Sequence, residues 1–288
     1  MKVLGLSATY RPMGNSEILT KEALMGAEEA GADVELIRLK KLKFQDCRGC
    51  ALCLFRNQEC HLKDDLVFLF DKMRESDGII LGTPCYILEA TSLVKRIIDR
   101  SFYHFYLGDL RGKSAGVVVS YATRGWTTMV FPQTSGWLKG LGMHIIDRAL
   151  FHCQYPAEVL LRDSLLERAH AVGRNVAEAI SSGDTTFKGE KGLCPVCYDS
   201  LIRIRPDGKT VECPLCQIEG TLEIRNGKIE VSFDEKAAKN HRFSPGNIAD
   251  HFTYHIKPSK DHFLRTMESV EEKKARYKNY PPAPAGRT

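Results

Sequence analysis

The chain has 288 residues, of which 43% are hydrophobic and 27% charged, with a formal charge of +5. These values exclude a mainly disordered chain, and no apolar run is long enough for a transmembrane helix. The excess charge is local: residues 235–288 hold 11 basic and 6 acidic side chains while the rest of the chain balances, a surplus too small to argue for nucleic acid.

In chain order, the run Lys2–Leu6 predicts a first strand, with no signal-peptide segment before it, so a cytoplasmic protein is expected. Ser16–Ala30, with Ile18, Leu19 and Ala23 on one face, predicts a helix closed by Gly31. Alternation over Asp33–Leu39 predicts a second strand. Leu66, Phe70 and Met73 recur at helical spacing behind Asp64 and Asp65, which suit a helix N-terminus. Ile79–Leu81 predicts a buried strand, Leu93, Val94, Ile97 and Ile98 a helix, and Ala115–Ser120 and His144–Leu150 two further strands. Leu165, Leu166, Ala169, Val172 and Val176 stripe a last helix ending near Gly183. The pattern predicts an α/β domain over residues 1–183: a five-stranded parallel sheet with helices on both faces and its ligand crevice at the carboxyl edge.

Residues 184–192 form a polar linker. Residues 193–233 predict a small β module with turns at Pro206-Asp207-Gly208 and Asn226-Gly227. Residues 234–288 are a basic tail holding four of the nine histidines, with one polar helix expected over Lys260–Tyr277 and a Pro-rich stretch from Tyr280 to Pro284. His251 and His255 would share a helix face, and packing is expected of them rather than metal binding. Phe243, Phe252, Tyr254 and Phe263 suggest that the tail docks on the crevice or on a sister subunit.

Eight of the ten cysteines form two quartets. Cys47, Cys50 and Cys53, spaced Cys-x2-Cys-x2-Cys, let one compact loop offer three thiolates to a cubane, and Cys60 supplies a fourth. A [4Fe–4S] cluster is the preferred reading, against structural zinc or a redox dithiol. Cys194, Cys197, Cys213 and Cys216 are two Cys-x2-Cys knuckles, the spacing of a four-thiolate zinc ribbon, although iron accepts the same geometry. So short a module cannot bury enough core by itself, and a metal is expected to hold it together. Its basic and acidic residues are interspersed, so no nucleic-acid face is expected.

Three loops follow strands at the same sheet edge. Ser7, Thr9, Arg11, Gly14, Asn15 and Ser16 place hydroxyls, a guanidinium and a turn residue at a helix N-terminus, a setting for phosphate or for an ordinary polar loop. Pro84, Cys85, Tyr86 and Ile87 follow the third strand, and Ser120, Tyr121, Ala122, Thr123, Gly125 and Trp126 follow the fourth. The combination resembles the flavodoxin-like NAD(P)H-dependent FMN reductases. With the first cysteine motif and Lys63-Asp64-Asp65 added, residues 1–182 resemble the iron–sulfur flavoproteins.

That resemblance implies FMN bound by those three loops and a [4Fe–4S] cluster on Cys47, Cys50, Cys53 and Cys60. It also implies electron supply from ferredoxin or NAD(P)H, and a homodimer or homotetramer. The ribbon and tail depart from it, since typical members would stop near residues 184–192. The reading is an FMN-dependent oxidoreductase relaying electrons between cluster and FMN. The alternatives are a cluster-free NAD(P)H-dependent FMN or quinone reductase, and a redox-sensing ribbon module that binds a partner. Tyr86, Cys85 and Tyr121 are weak catalytic candidates, and no membrane or nucleic-acid partner is expected.

Overall fold

A computed structural model describes residues 1–278 and Tyr280. Of the expected Pro-rich stretch, only Tyr280 falls among the described residues. The chain begins β1 (Lys2–Ser7), α1 (Asn15–Glu29), β2 (Asp33–Arg38), a short helix α2 (Leu52–Phe55), α3 (Leu66–Glu75) and β3 (Gly78–Tyr86). A two-residue strand, β4 (Glu89–Ala90), pairs antiparallel with the end of β3. Then come α4 (Ser92–Asp99), α5 (Phe102–Leu107), β5 (Ser114–Tyr121), α6 (Val130–Gly140), β6 (His144–His152) and α7 (Asp163–Ser182). The five parallel strands run in the order β2-β1-β3-β5-β6, the doubly wound flavodoxin-like arrangement expected from the sequence. Strand order reverses between β1 and β3, which opens a crevice above their carboxyl ends.

Strand residues alternate between two cores, because successive side chains point to opposite faces. Leu4, Leu6, Ile79, Leu81, Val117 and Val119 meet α3, α4 and α6. Val3, Ile80 and Val118 meet α1 and α7. Those two helices approach backbone to backbone through Gly26 and Gly173: a Cβ on Gly173 would lie 1.6 Å from the Ala23 carbonyl oxygen. This contact fixes α1, and α1 carries the first loop of the crevice. The described sequence contains no helix long and apolar enough to cross a membrane.

The second part is a four-stranded antiparallel sheet of β7 (Arg203–Ile204), β8 (Thr210–Glu212), β9 (Glu219–Arg225) and β10 (Lys228–Phe233), in the order β10-β9-β8-β7. Asn226 and Gly227 link β9 to β10 with φ of 52° and 74°, the left-handed pair that a tight hairpin turn requires. The tail holds α8 (Glu235–Lys239), α9 (Pro245–Asp250), a π-helical turn over His251–Ile256 and α10 (Lys257–Lys274), which ends in a 3-10 turn over Ala275–Tyr277. The helix expected from Lys260 starts earlier, because it continues directly from the π-helical turn: Ile256 before it is itself helical, and Pro258 falls just after that turn. His251 and His255 lie on the π-helical turn, with ring centroids 5.5 Å apart, and His251 Nδ1 meets the Tyr106 hydroxyl at 2.8 Å.

Candidate functional site

The crevice at the carboxyl edge is lined by Thr9, Arg11, Gly14, Asn15 and Ser16, by Pro84, Cys85 and Tyr86, and by Ser120, Tyr121 and Ala122. Three expected loops therefore converge on one cavity. Cys153, Gln154 and Tyr155, after β6, complete the wall. The sequence reading missed them, although a polar loop following the last strand must emerge at the same edge.

The remaining expected residues stand elsewhere. Ser7 is buried beneath the first loop. Ile87, at 78% exposure, and Trp126, at 53%, form an outer rim. Thr123 and Gly125 are exposed and do not line the cavity. The physical reason is local turn geometry: Ile87 and Leu88 both have positive φ, 45° and 75°, which turns the chain away after Tyr86. Such a conformation is costly for a β-branched residue and is held by neighbours. The Met129 N–H donates to the Leu88 carbonyl at 3.0 Å, and the Ala90 N–H to Gln133 Oε1 at 2.8 Å.

The first loop suits an anion. No side chain caps α1 at Gly14, so the first N–H groups of the helix stay free. Ser7 Oγ is buried without a hydrogen-bond partner among the described residues. Glu17, buried in the first turn of α1, would repel an anion if its charge stood alone. Burial raises its pKa, but Arg38 and Lys21 outweigh that and hold its carboxyl below the ordinary range. Asn15 is not free for a ligand: its Nδ2 donates to the Tyr155 carbonyl at 2.8 Å and its Oδ1 accepts from the Val159 N–H at 3.2 Å. Its role is to bind the β6 loop to the first loop. The Ser16 and Ser120 hydroxyls share a hydrogen bond of 2.6 Å across the cavity floor.

Neither cysteine of the crevice is an activated nucleophile. Burial raises the pKa of Cys85, whose Sγ donates to the Trp126 carbonyl at 3.3 Å, and pushes Cys153 up to about 11. An anion-binding helix end, a wall of Pro84–Tyr86 and Tyr121, and a rim of exposed aromatic residues together fit a planar cofactor bearing a phosphate.

The two cysteine quartets differ in geometry. The sulfurs of Cys194, Cys197, Cys213 and Cys216 all lie within 4.8 Å of one another and are buried, a grip suited to a single ion. The two knuckles repeat one hydrogen-bond pattern. Tyr198 N–H donates to the Cys194 carbonyl at 2.9 Å, and Gln217 N–H to the Cys213 carbonyl at 2.8 Å. Both donors, each just after its knuckle, have positive φ. The module is seated on the sheet domain: Tyr198 stacks on Phe187 at 3.8 Å, and Arg148, which donates to Ser135 Oγ at 2.9 Å and to the Tyr198 carbonyl, packs over Phe131.

Cys47, Cys50, Cys53 and Cys60 are not drawn within single-ion reach of one another; among the described residues only the ribbon quartet is. This departs from a zinc-like grip. The four remain neighbours: burial first, then Cys60, Cys50 and Cys47, push the Cys53 thiol up. Cys47 and Cys50 are exposed on the loop. Left-handed residues at Gly49, Ala51 and Asn57 fold that loop tightly, and salt bridges fasten it at Asp46–Arg96 (2.9 Å) and Glu59–Arg74 (2.8 Å). Its helix α2 packs beside α5.

Comparison with known proteins agrees with this geometry. The family described as NADPH-dependent FMN reductase matches residues 1–155. An iron–sulfur flavoprotein of Archaeoglobus fulgidus is 33% identical over 182 residues, covering 63% of this chain and 81% of the relative. Flavone synthase cfoJ of Aspergillus candidus is 26% identical over 271 residues, covering 82% of this chain and 83% of the relative, and so reaches through the ribbon into the tail. A solved structure described as flavone reductase covers 100% of both chains with a TM-score of 0.81 at 24% identity, a likeness of fold over the whole length.

Proposed function

The chain belongs to the NADPH-dependent FMN reductase family, together with the iron–sulfur flavoproteins, and is a flavin-dependent oxidoreductase; on that premise we propose that it holds FMN in the crevice above β1 and β3 and relays electrons between it and a [4Fe–4S] cluster on Cys47, Cys50, Cys53 and Cys60. The observation that carries the reading is the convergence of three polar loops on one cavity beside an uncapped helix N-terminus. Bound FMN would supply one- and two-electron transfer. The free N–H groups of α1, with Thr9, Arg11 and Ser16, bind the phosphate. Pro84, Cys85, Tyr86 and Tyr121 position the ring, and the neutral thiols of Cys85 and Cys153 keep its surroundings uncharged. The exposed rim of Tyr86, Ile87 and Trp126 leaves one ring face open to a nicotinamide or an organic acceptor. Ferredoxin or NAD(P)H supplies the electrons, and the ribbon quartet holds a structural zinc.

A second reading concerns the acceptor. A flavone synthase and a flavone reductase both match this chain beyond the sheet domain. An apolar, aromatic rim suits a planar, flavone-like molecule stacked on the open ring face. In that reading the chain transfers hydride to or from such a molecule, and the cysteine loop serves electron supply.

Anaerobic purification tests the first reading. Absorbance before and after dithionite is measured together with FMN, iron, zinc and acid-labile sulfide on one sample. Sulfide at about four per chain with matching iron supports the relay. Bound FMN without sulfide overturns the relay and leaves the cluster-free reductase. Turnover of a flavone by the sulfide-containing protein, lost when the cluster is removed, supports the second reading.

A further inference from the structure

The ribbon quartet meets the sheet domain along α6. Leu215, between the two cysteines of the second knuckle, packs on that helix where Gly136 carries no side chain: a Cβ there would lie 2.9 Å from Leu215 Cδ1. One turn further along the same face stands Lys139. Its ammonium lies 5.9 Å from the centroid of the Tyr198 ring, directly after the first knuckle. These two positions of α6 therefore reach one knuckle each. Lys139 is partly buried and has no carboxylate partner among the described residues. Burial pulls its pKa down, and the charges that pull it back up are those of Cys216, Cys197 and Cys194.

Its basic neighbours do not share this position. Burial, and then Lys139 itself, lower the pKa of His144 on β6 and push that of His241 in the tail down to about 4, so both rings are neutral at neutral pH. Arg148 reaches the first knuckle and donates to the Tyr198 carbonyl, but it lies 3.8 Å from Asp199 Oδ2 and shares its charge with that carboxylate. A cation facing sulfur has a physical use here. Four thiolates outweigh a divalent ion by two negative charges. The quartet is buried together with Val196 and Ile218, and an uncompensated charge in such surroundings is strongly destabilising. A backbone N–H gives partial relief, that of Cys216 at 3.4 Å from Cys213 Sγ. An ammonium supplies a full opposite charge.

We propose that Lys139 is the counter-charge of the ribbon's metal site: α6 of the sheet domain brings an ammonium to the four thiolates, and the ion is held tightly because the ribbon is seated there. This role presupposes that the quartet binds an ion, and it is independent of the first cysteine quartet and of the flavin. Lys139 lines no part of the crevice. It is a positioning residue that acts on the ion through the charge of the ligand sulfurs.

Competition with EDTA for the ribbon ion of the full-length protein tests this, with flavin content and circular dichroism as controls for folding. The ribbon ion is identified as the one that Cys213→Ser lacks. Wild type, Lys139→Arg, Lys139→Met and Lys139→Glu are compared. Lys139→Met keeps an apolar stem and removes the charge, and it is expected to hold the ion about tenfold more weakly. Lys139→Glu is expected to hold it more weakly still, and Lys139→Arg to stay close to wild type. A role in packing alone gives the reverse order, with Lys139→Met like wild type and the bulkier Lys139→Arg impaired; that order overturns the proposal. So does an ion held equally well by all four proteins. A wild type whose ribbon carries no ion refutes the metal reading itself, and the role of Lys139 with it.

Discussion

Arg100 and Asp64 form a buried ion pair that closes the first cysteine loop: both side chains are almost wholly removed from solvent, and the guanidinium meets both carboxylate oxygens. The same Asp64 accepts the Gln45 N–H at 2.7 Å, while Arg100 donates to the Gln45 carbonyl at 3.1 Å. The two ends of the loop, residue 45 and residue 64, are thereby tied to α4. Burial pulls the Arg100 pKa down, and Asp64 and the neighbouring Cys60 more than restore it.

Removing one partner leaves the other charge buried and uncompensated, at a cost of about 3–5 kcal/mol. Asp64→Asn and Arg100→Met are therefore expected to destabilise the protein by that order. Urea unfolding followed by circular dichroism checks it; a loss below about 1 kcal/mol for both variants would show the pair to be dispensable.

The crevice gives a prediction about flavin affinity. Arg11→Ala removes a charged donor from the lining, and FMN is expected to bind about tenfold more weakly. Arg124→Ala, outside the cavity, is expected to leave affinity unchanged. Titration of the flavin-stripped protein, read by flavin fluorescence, compares the two.

For the ribbon, Cys213→Ser removes one of four buried sulfurs. The variant is expected to lose its metal, about one ion per chain, and to become open to protease within 193–233. Flavin content should hold, because the crevice takes no residue from the ribbon. Metal analysis and limited proteolysis on one preparation check both halves.

A pH dependence follows from His170 on α7, whose Nδ1 meets Glu22 at 2.9 Å and Nε2 meets Glu29 at 2.6 Å, both on α1. Burial lowers its pKa, but Glu29 and Glu22 outweigh that and raise it above the usual 6.5. A histidine raised on folding stabilises fully below its unfolded pKa, and that contribution fades as pH rises through the folded value. Stability is therefore expected to fall as pH rises above about 6.5. His170→Ala should flatten that slope. An unchanged slope in urea midpoints from pH 5.5 to 8.5 would remove His170 as its source.

Local pattern was enough for much of this molecule. Alternating strand residues such as Val3 and Leu4 must face opposite cores, so the order of strands and helices could be read directly. Polar loops after parallel strands share one edge by topology, which located the crevice through Thr9, Arg11, Pro84 and Tyr121. Cysteine spacing placed the ribbon, because two knuckles carry their own geometry. Only tertiary structure decided the rest. Asn15, a natural phosphate donor on paper, is spent on Tyr155 and Val159, far along the chain. Ile87 turns outward because a left-handed backbone re-aims it. Cys153 joins the wall and α10 stands clear of the body for the same reason: burial is set by which segments meet in space, and no spacing along one segment specifies that.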